Sequence, residues 1–163
     1  NPNFMAQDIR PRHNKNYAAA FMLGNKDSDA LILEDDVIPC RNLKSQLDAV
    51  YWLIRQRKLD KYIIALYSHA KWPLCAQSLN LYPLERFFGL QAILYSASIR
   101  KIIMRAHEDL CEQQPADFIT RIAAKENNIP VFATTFSLFQ HIGMMTTGLG
   151  IFHSTENFLD STN

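Results

Sequence analysis

The sequence lacks any long apolar segment. None of its apolar runs approaches the roughly 20 residues that a membrane-spanning helix needs, so we expect no membrane span within these 163 residues. It also begins Asn-Pro-Asn-Phe, with neither an initiator methionine nor the pattern of a signal peptide. We therefore expect a fragment or a processed domain, with any membrane anchor outside this chain.

Cysteines are also few, and the net charge is close to zero. The three cysteines, Cys40, Cys75 and Cys111, form no CxxC pair, which argues against a thiolate zinc site and leaves a single disulfide open. The formal net charge is +1 and the basic residues are scattered. Neither nucleic acid nor an acidic membrane surface is therefore predicted as a partner.

The glycine-rich and catalytic signatures of several enzyme classes are missing. We find no Gly-x-Gly-x-x-Gly, no P-loop, no Gly-x-Ser-x-Gly and no His-Glu-x-x-His. What is present is an ordinary globular composition, 48% hydrophobic and 20% charged, without repeats or low-complexity tracts. We predict one domain over residues 1–163, with a core at 14–150 and a peripheral tail at 151–163.

Helical patterns separate short apolar segments, which favours an α/β fold. The clearest pattern has Leu43, Leu47, Val50 and Ile54 at steps of three and four, within a helix over 42–58 that Asn42 can cap. The remaining predicted elements are helices at 14–23, 96–114 and 117–126, strands at 30–33, 62–67, 90–95 and 131–136, and an irregular lobe at 68–88.

Three acids follow directly on the first predicted strand. Glu34, Asp35 and Asp36 come after three apolar residues, and their repulsion calls for a cation or a polar ligand. In extended geometry Glu34 and Asp36 share a face. We take Asp36 as the first candidate for a Mn²⁺ or Mg²⁺ ligand, with the other two acids accepting bonds from ligand hydroxyls. A turn cap or pairing with Lys and Arg is the alternative.

Two later residues have both structural and chemical interpretations. Asp117 precedes an apolar helical face and can be its N-cap, or it can be a general base. His141 can be a hydrogen-bonded structural residue or a ligand, and nearby Gly143 permits close approach. Five aromatic residues can floor a sugar site, although core packing is the expected use of most: Tyr67, Trp72, Tyr82, Phe87 and Phe88.

The segment 31–37 resembles the acidic metal motif of GT-A-type glycosyltransferases. Pro115-Ala116-Asp117-Phe118, followed by the segment 137–143, is similar to the C-terminal half of the N-acetylglucosaminyltransferase IV family. The Golgi enzyme that adds N-acetylgalactosamine to GPI anchors is an equally close relative in kind. The resemblance covers residues 14–150 and implies a GT-A-like, Rossmann-like three-layer sandwich with a mixed central sheet.

The resemblance also implies roles for individual residues. Asp36 and His141 would hold the metal beside the diphosphate of a UDP-sugar, and Glu34 and Asp35 would contact donor sugar or ribose. Asp117 would deprotonate the acceptor hydroxyl, while Gly89 and Gln91 would line the acceptor side. The predicted donor-binding set is completed by Asn16. In a eukaryote, the implied compartment is the Golgi lumen.

Two departures from the family pattern stand out. Met144-Met145-Thr146-Thr147 replaces the usual His and Ser residues, and only about 30 residues precede the acidic strand. We therefore expect part of the nucleotide-binding half to be missing from this chain.

These observations leave three hypotheses. The first is a metal-dependent inverting glycosyltransferase that moves a sugar, such as N-acetylhexosamine, to a glycan or glycolipid hydroxyl. The second is a non-catalytic glycosyltransferase-like module that binds carbohydrate or a partner. The third, a metal-dependent phosphoesterase, lacks a second metal cluster in the sequence.

Overall fold

A computed structural model describes residues 3–67, 77–142 and 158–159, with side chains from residue 11 onward. Four α-helices lie in this part of the chain: α1 Asn3–Ala20, α2 Leu43–Gln56, α3 Arg100–Asp109 and α4 Ala116–Glu126. Short 3-10 helices cover Leu84–Arg86 and Ala97–Ile99. The strands are β1 Ala30–Leu33, β2 Val37–Pro39, β3 Ile63–Ala65, β4 Leu79–Leu81, β5 Ala92–Tyr95, β6 Val131–Thr134 and β7 Phe139–His141.

Five of these strands form a mixed central sheet in the order β1-β5-β3-β6-β4. β3 and β6 run parallel, and the other neighbouring pairs are antiparallel. β2 and β7 form a separate antiparallel pair. The predicted α/β class with a mixed central sheet is therefore confirmed.

Helices cover both faces of the central sheet. Alternate strand residues point to opposite faces, so Ile63 and Ala65 join a core that contains residues of α3 and α4 and Tyr17 of α1. Their neighbours Ile64 and Leu66 join a second core with Val50 and Ile54 of α2. This two-sided burial explains why β3, β5 and β6 are apolar without alternation.

The periodic residues of α2 are buried or half-buried as predicted, although Asn42 makes no side-chain capping bond at its start. α1 is longer than the predicted helix and ends at Ala20 rather than at residue 23. The carbonyls of Phe21 and Leu23 instead accept hydrogen bonds from the buried guanidinium of Arg100. An α3 side chain thus holds the turn that follows α1.

Three strands were missed by the sequence pattern. β2 follows the acidic turn, in a segment where no strand was predicted. β4 lies inside the predicted irregular lobe, where Leu79 is buried but Leu81 is exposed, and among the described strands it pairs with β6 at the sheet edge. β7 begins after the end of the predicted strand at 131–136, which stops at Thr134 in the structure. All three are three-residue strands, too short for a recognisable alternation.

The N-cap prediction for Asp117 is wrong. Pro115 occupies the N-cap position in an extended conformation, and Asp117 lies within the first turn of α4. Phe118, the first residue of the apolar segment that follows Asp117, is 44% exposed, and the Arg121 guanidinium lies 4.8 Å from its ring centroid. The buried face of α4 contains Ile119 and Ala123, and Phe118 lies outside that face.

Some predicted features lie outside the described residues. These are most of the tail at 151–163, the first part of the lobe at 68–88, and Gly143 with the Met-Met-Thr-Thr segment. Phe158 and Leu159 are described, and both pack against the second core. Among the described residues, no helix is long and apolar enough to cross a membrane.

Candidate metal and acid–base site

The acidic segment lies where β1 ends. The backbone N–H of Glu34 still donates to the carbonyl of Gln91 at 2.9 Å, which extends the β1–β5 pairing by one residue. The chain then turns before β2 begins at Val37. Glu34 is half-buried, Asp35 is exposed, and the side chain of Asp36 is 34% exposed. The turn thus gives the three adjacent acids different environments.

Pairing of β2 with β7 brings His141 to this turn. Val37 lies opposite His141 in the register, and the N–H of Ile142 donates to the carbonyl of Asp36 at 2.8 Å. His141 is only 5% exposed, and its Nε2 lies 2.9 Å from Oδ2 of Asp36. The two predicted metal ligands, far apart in sequence, are therefore in direct contact.

Glu34 joins this pair to form a cluster. Glu34, Asp36 and His141 each offer one ligand atom, and these atoms all lie within 4.8 Å of one another. The second carboxylate oxygen of Asp36, Oδ1, is buried and has no hydrogen-bond partner in the structure. A buried carboxylate oxygen without a donor is costly, and a cation would satisfy it. The two carboxylates supply the hard oxygen donors that Mn²⁺ and Mg²⁺ prefer, and the imidazole supplies a nitrogen donor.

The electrostatics of Glu34 point the same way. Burial raises its pKa to about 7, and the negative charges of Asp36, Asp35 and Asp117 add to this rise, while His141 opposes it. The fold therefore concentrates negative charge at this point, and His141 is the opposing influence among those that act on Glu34. Bound positive charge would reverse the effect and favour the ionised carboxylate.

Tyr67 forms part of the surroundings of the cluster. It is buried, and its ring centroid lies 6.4 Å from that of His141. Burial raises its pKa, and the charge of Glu34 raises it further. The sequence predicts for Tyr67 either core packing or a place at the base of a sugar site, and in the structure it lies beside the cluster. Tyr82 and Phe87, from the same set, are core residues.

Asp117 approaches from the start of α4. Its Oδ2 accepts a long hydrogen bond of 3.5 Å from the N–H of Gly89, and its Oδ1 accepts one of 3.0 Å from the N–H of Phe118. Its charge contributes to the raised pKa of Glu34, which places it within electrostatic reach of the cluster. The proposed base and the proposed metal ligands thus belong to one acidic region.

Gly89 and Gln91 contact Asp117 and the acidic turn, respectively. Gly89 has a φ of +75°, and a Cβ at this position would lie 2.3 Å from Oε1 of Gln91. Gln91 is 8% exposed, and its carbonyl holds the backbone of Glu34. Gly89 thus contacts Asp117, and Gln91 contacts Glu34, while their role on the acceptor side stays a prediction.

Asn16 is exposed on α1, whose neighbours Asn14 and Tyr17 face the interior. No contact of Asn16 with the acidic turn supports its donor-binding role, which stays a prediction. The exposed Asp35 likewise lies outside the three-residue cluster, and its role with a donor also stays a prediction.

Comparison with protein-family models gives no matching family, and comparison with curated proteins gives no matching relative.

Proposed function

We propose that this chain is a metal-dependent inverting glycosyltransferase domain of GT-A type. It moves a sugar, in our proposal an N-acetylhexosamine, from a UDP-sugar to a hydroxyl of a glycan or glycolipid. The observation that carries the proposal is the cluster of Glu34, Asp36 and His141, with Asp117 close enough to raise the pKa of Glu34. If the source is eukaryotic, the compartment we propose is the Golgi lumen.

The donor side is assigned to the acidic turn. Asp36 and His141 would hold Mn²⁺ or Mg²⁺, with Glu34 as a third ligand or as an acceptor for donor hydroxyls. When bound there, the cation supplies positive charge that offsets the negative charge of a departing diphosphate. Asp35, exposed beside them, is left to bind hydroxyls of the donor sugar or ribose.

The acceptor side is assigned to Asp117. A general base must lie within hydrogen-bond reach of the hydroxyl that it deprotonates, and Asp117 is half-buried rather than enclosed. The N–H of Gly89 and that of Phe118 orient its carboxylate. An inverting transfer needs its base on the face of the sugar opposite the leaving group. In this proposal the base comes from α4, and the metal ligands come from the β1–β2 turn and β7.

The test is release of UDP from UDP-N-acetylglucosamine and UDP-N-acetylgalactosamine, with Mn²⁺ or with EDTA, in the presence of a panel of glycan acceptors. We expect Mn²⁺-dependent release that Asp36→Ala and Asp117→Asn each abolish. Asp48→Ala is the matched control, because that carboxylate forms an exposed ion pair with Lys44. UDP binding without release would instead favour the non-catalytic module. Equal activity in all variants would refute the residue assignments.

A further inference from the structure

A chain of buried polar groups crosses the core on the α1, α3 and α4 side of the sheet. The hydroxyls of Tyr17 and Tyr95 lie 2.8 Å apart, and that of Tyr95 also hydrogen-bonds with Thr120. The Thr120 hydroxyl lies 3.0 Å from Nε2 of His107. Tyr95, Thr120 and His107 are fully buried, and Tyr17 is 6% exposed.

This chain connects four elements, because its members belong to α1, β5, α4 and α3 in that order. Polar groups in a core are costly unless their hydrogen bonds are made, so such a chain fixes the relative positions of the elements that carry it. His107 adds a ring contact, with its centroid 4.8 Å from that of Tyr17. Burial lowers the pKa of His107 to about 4, so the chain is neutral at physiological pH.

Thr120 is the member nearest to the candidate base. It follows Asp117 by one helical turn on α4, so the two residues lie on neighbouring parts of the same helix. Its hydroxyl contacts His107 of α3 and interacts with Tyr95 of β5, so it links α4 to both elements. The first turn of α4 carries Asp117 to the N–H of Gly89.

The opposite end of the chain lies within electrostatic reach of the acidic turn. The charge of Glu34 is one of the causes that raise the pKa of Tyr17. The same polar chain therefore extends from the element that carries the candidate base to the neighbourhood of the metal cluster. An apolar core could hold α4 against the sheet, but it would allow the helix to slide or rotate by small amounts, because dispersion contacts are not directional.

We propose that Thr120 is a positioning residue that holds Asp117 against Gly89 through its hydrogen bonds to Tyr95 and His107. The expected effect on kcat rests on the proposed function, whereas the expected effect on the position of Asp117 does not. Thr120→Val keeps the shape of the side chain and removes the hydroxyl, whereas Thr120→Ser keeps the hydroxyl. If Thr120 only fills space, Thr120→Ser should perturb the protein more than Thr120→Val, whereas a role of the hydroxyl predicts the reverse.

The first measurement needs no activity. The amide ¹H–¹⁵N signal of Gly89 reports its bond to Asp117, and we expect Thr120→Val to shift it in the direction that Asp117→Asn does. Thr120→Ser should leave it near the wild-type position. Tyr95→Phe removes the hydroxyl that interacts with Thr120, and it should shift the Gly89 signal in the same direction if Thr120→Val folds poorly. A Gly89 signal unchanged in Thr120→Val and Tyr95→Phe would overturn the proposal.

The second measurement is kinetic. For the Mn²⁺-dependent transfer described above, we expect Thr120→Val to lower kcat by about 10-fold, with KM for the UDP-sugar within about twofold, and Thr120→Ser to restore most of it. Tyr62→Phe is the matched control, because it also removes the hydroxyl of a buried tyrosine, which donates to Asp29 and belongs to the second core rather than to the core that contains α4. An equal loss in Tyr62→Phe would overturn the proposal. If the wild type shows no transfer, the proposed function fails while the Gly89 signal still decides this inference.

Discussion

Nε2 of His141 lies 2.9 Å from Oδ2 of Asp36, although 105 positions separate the two residues in the sequence. The contact depends on a pair of three-residue strands, in which Val37 and His141 are directly opposite. The backbone bond from Ile142 to Asp36 continues this pairing past the strand end. The small β2–β7 ribbon is therefore the element that assembles the candidate metal site.

This contact should be measurable as a coupling energy without any metal. In a double-mutant cycle of Asp36→Asn and His141→Gln, we expect the two substitutions to be non-additive by about 1–3 kcal/mol in EDTA, because the partners share a partly buried hydrogen bond. Urea denaturation of the four proteins gives the value. Strict additivity would mean that the two side chains do not interact in solution.

Glu34 should make stability depend on pH. Its pKa of about 7 lies above the ordinary value of 4.5, so the folded chain binds a proton that the unfolded chain releases between these two values. The free energy of unfolding should therefore fall as pH rises through this window, by on the order of 2–3 kcal/mol from this group. Glu34→Gln should remove that part of the dependence and be the more stable protein at pH 8.

The measurement is urea denaturation of wild type and Glu34→Gln at several pH values in EDTA, so that the difference between the two curves isolates Glu34. Glu126→Gln, at an exposed position at the end of α4, is the control and should follow the wild type. Parallel curves for wild type and Glu34→Gln would contradict the account of Glu34.

Asp117→Asn should separate chemistry from metal binding. The amide keeps the size of the side chain but cannot accept a proton, so we expect kcat for transfer to fall by about 10²–10⁴-fold. Mn²⁺ affinity should change little, because Asp117 is not a member of the three-residue cluster. Steady-state kinetics and a Mn²⁺ titration on the same preparation check both statements. Asp109→Asn, exposed on α3, should behave as wild type.

Gly89→Ala should be destabilising for two distinguishable reasons. An alanine at a φ of +75° costs about 1–2 kcal/mol, and its Cβ would collide with the side-chain amide of Gln91. Gln91→Ala in the same chain should relieve the collision but not the backbone strain. Denaturation of the single and double variants tests this, and a Gly89→Ala protein as stable as wild type would contradict it.

The sequence predicted those parts of the fold that have a long period or a strong boundary. The recurrence of apolar residues at steps of three and four from Leu43 to Ile54 predicts α2 correctly, and the apolar runs predict β1, β3, β5 and β6. β2, β4 and β7 were missed because three residues show no period, and pairing partners distant in sequence decide whether such a segment is a strand. The start of α4 was misplaced by the choice of Asp117 over Pro115 as its cap.

The site divides in the same way. The acidic triplet is visible locally, but the contact of Asp36 with His141 is a tertiary pairing that no spacing rule predicts, and only the family resemblance suggested it. The role of Thr120 had no signal in the sequence. Thr120 and His107 sit in amphipathic helices, where polar residues are normally expected to face solvent, and here both are fully buried.

Glu34, Asp36 and His141 should together bind one divalent cation, and the electron paramagnetic resonance signal of free Mn²⁺ reports this binding without any assay of transfer. Titration of wild type should remove the signal of one Mn²⁺ per chain. With Asp36→Ala the Mn²⁺ should stay free and its signal should persist, while Asp48→Ala should titrate like the wild type. A wild type that leaves Mn²⁺ free, or an Asp36→Ala variant that binds it equally well, would contradict the account.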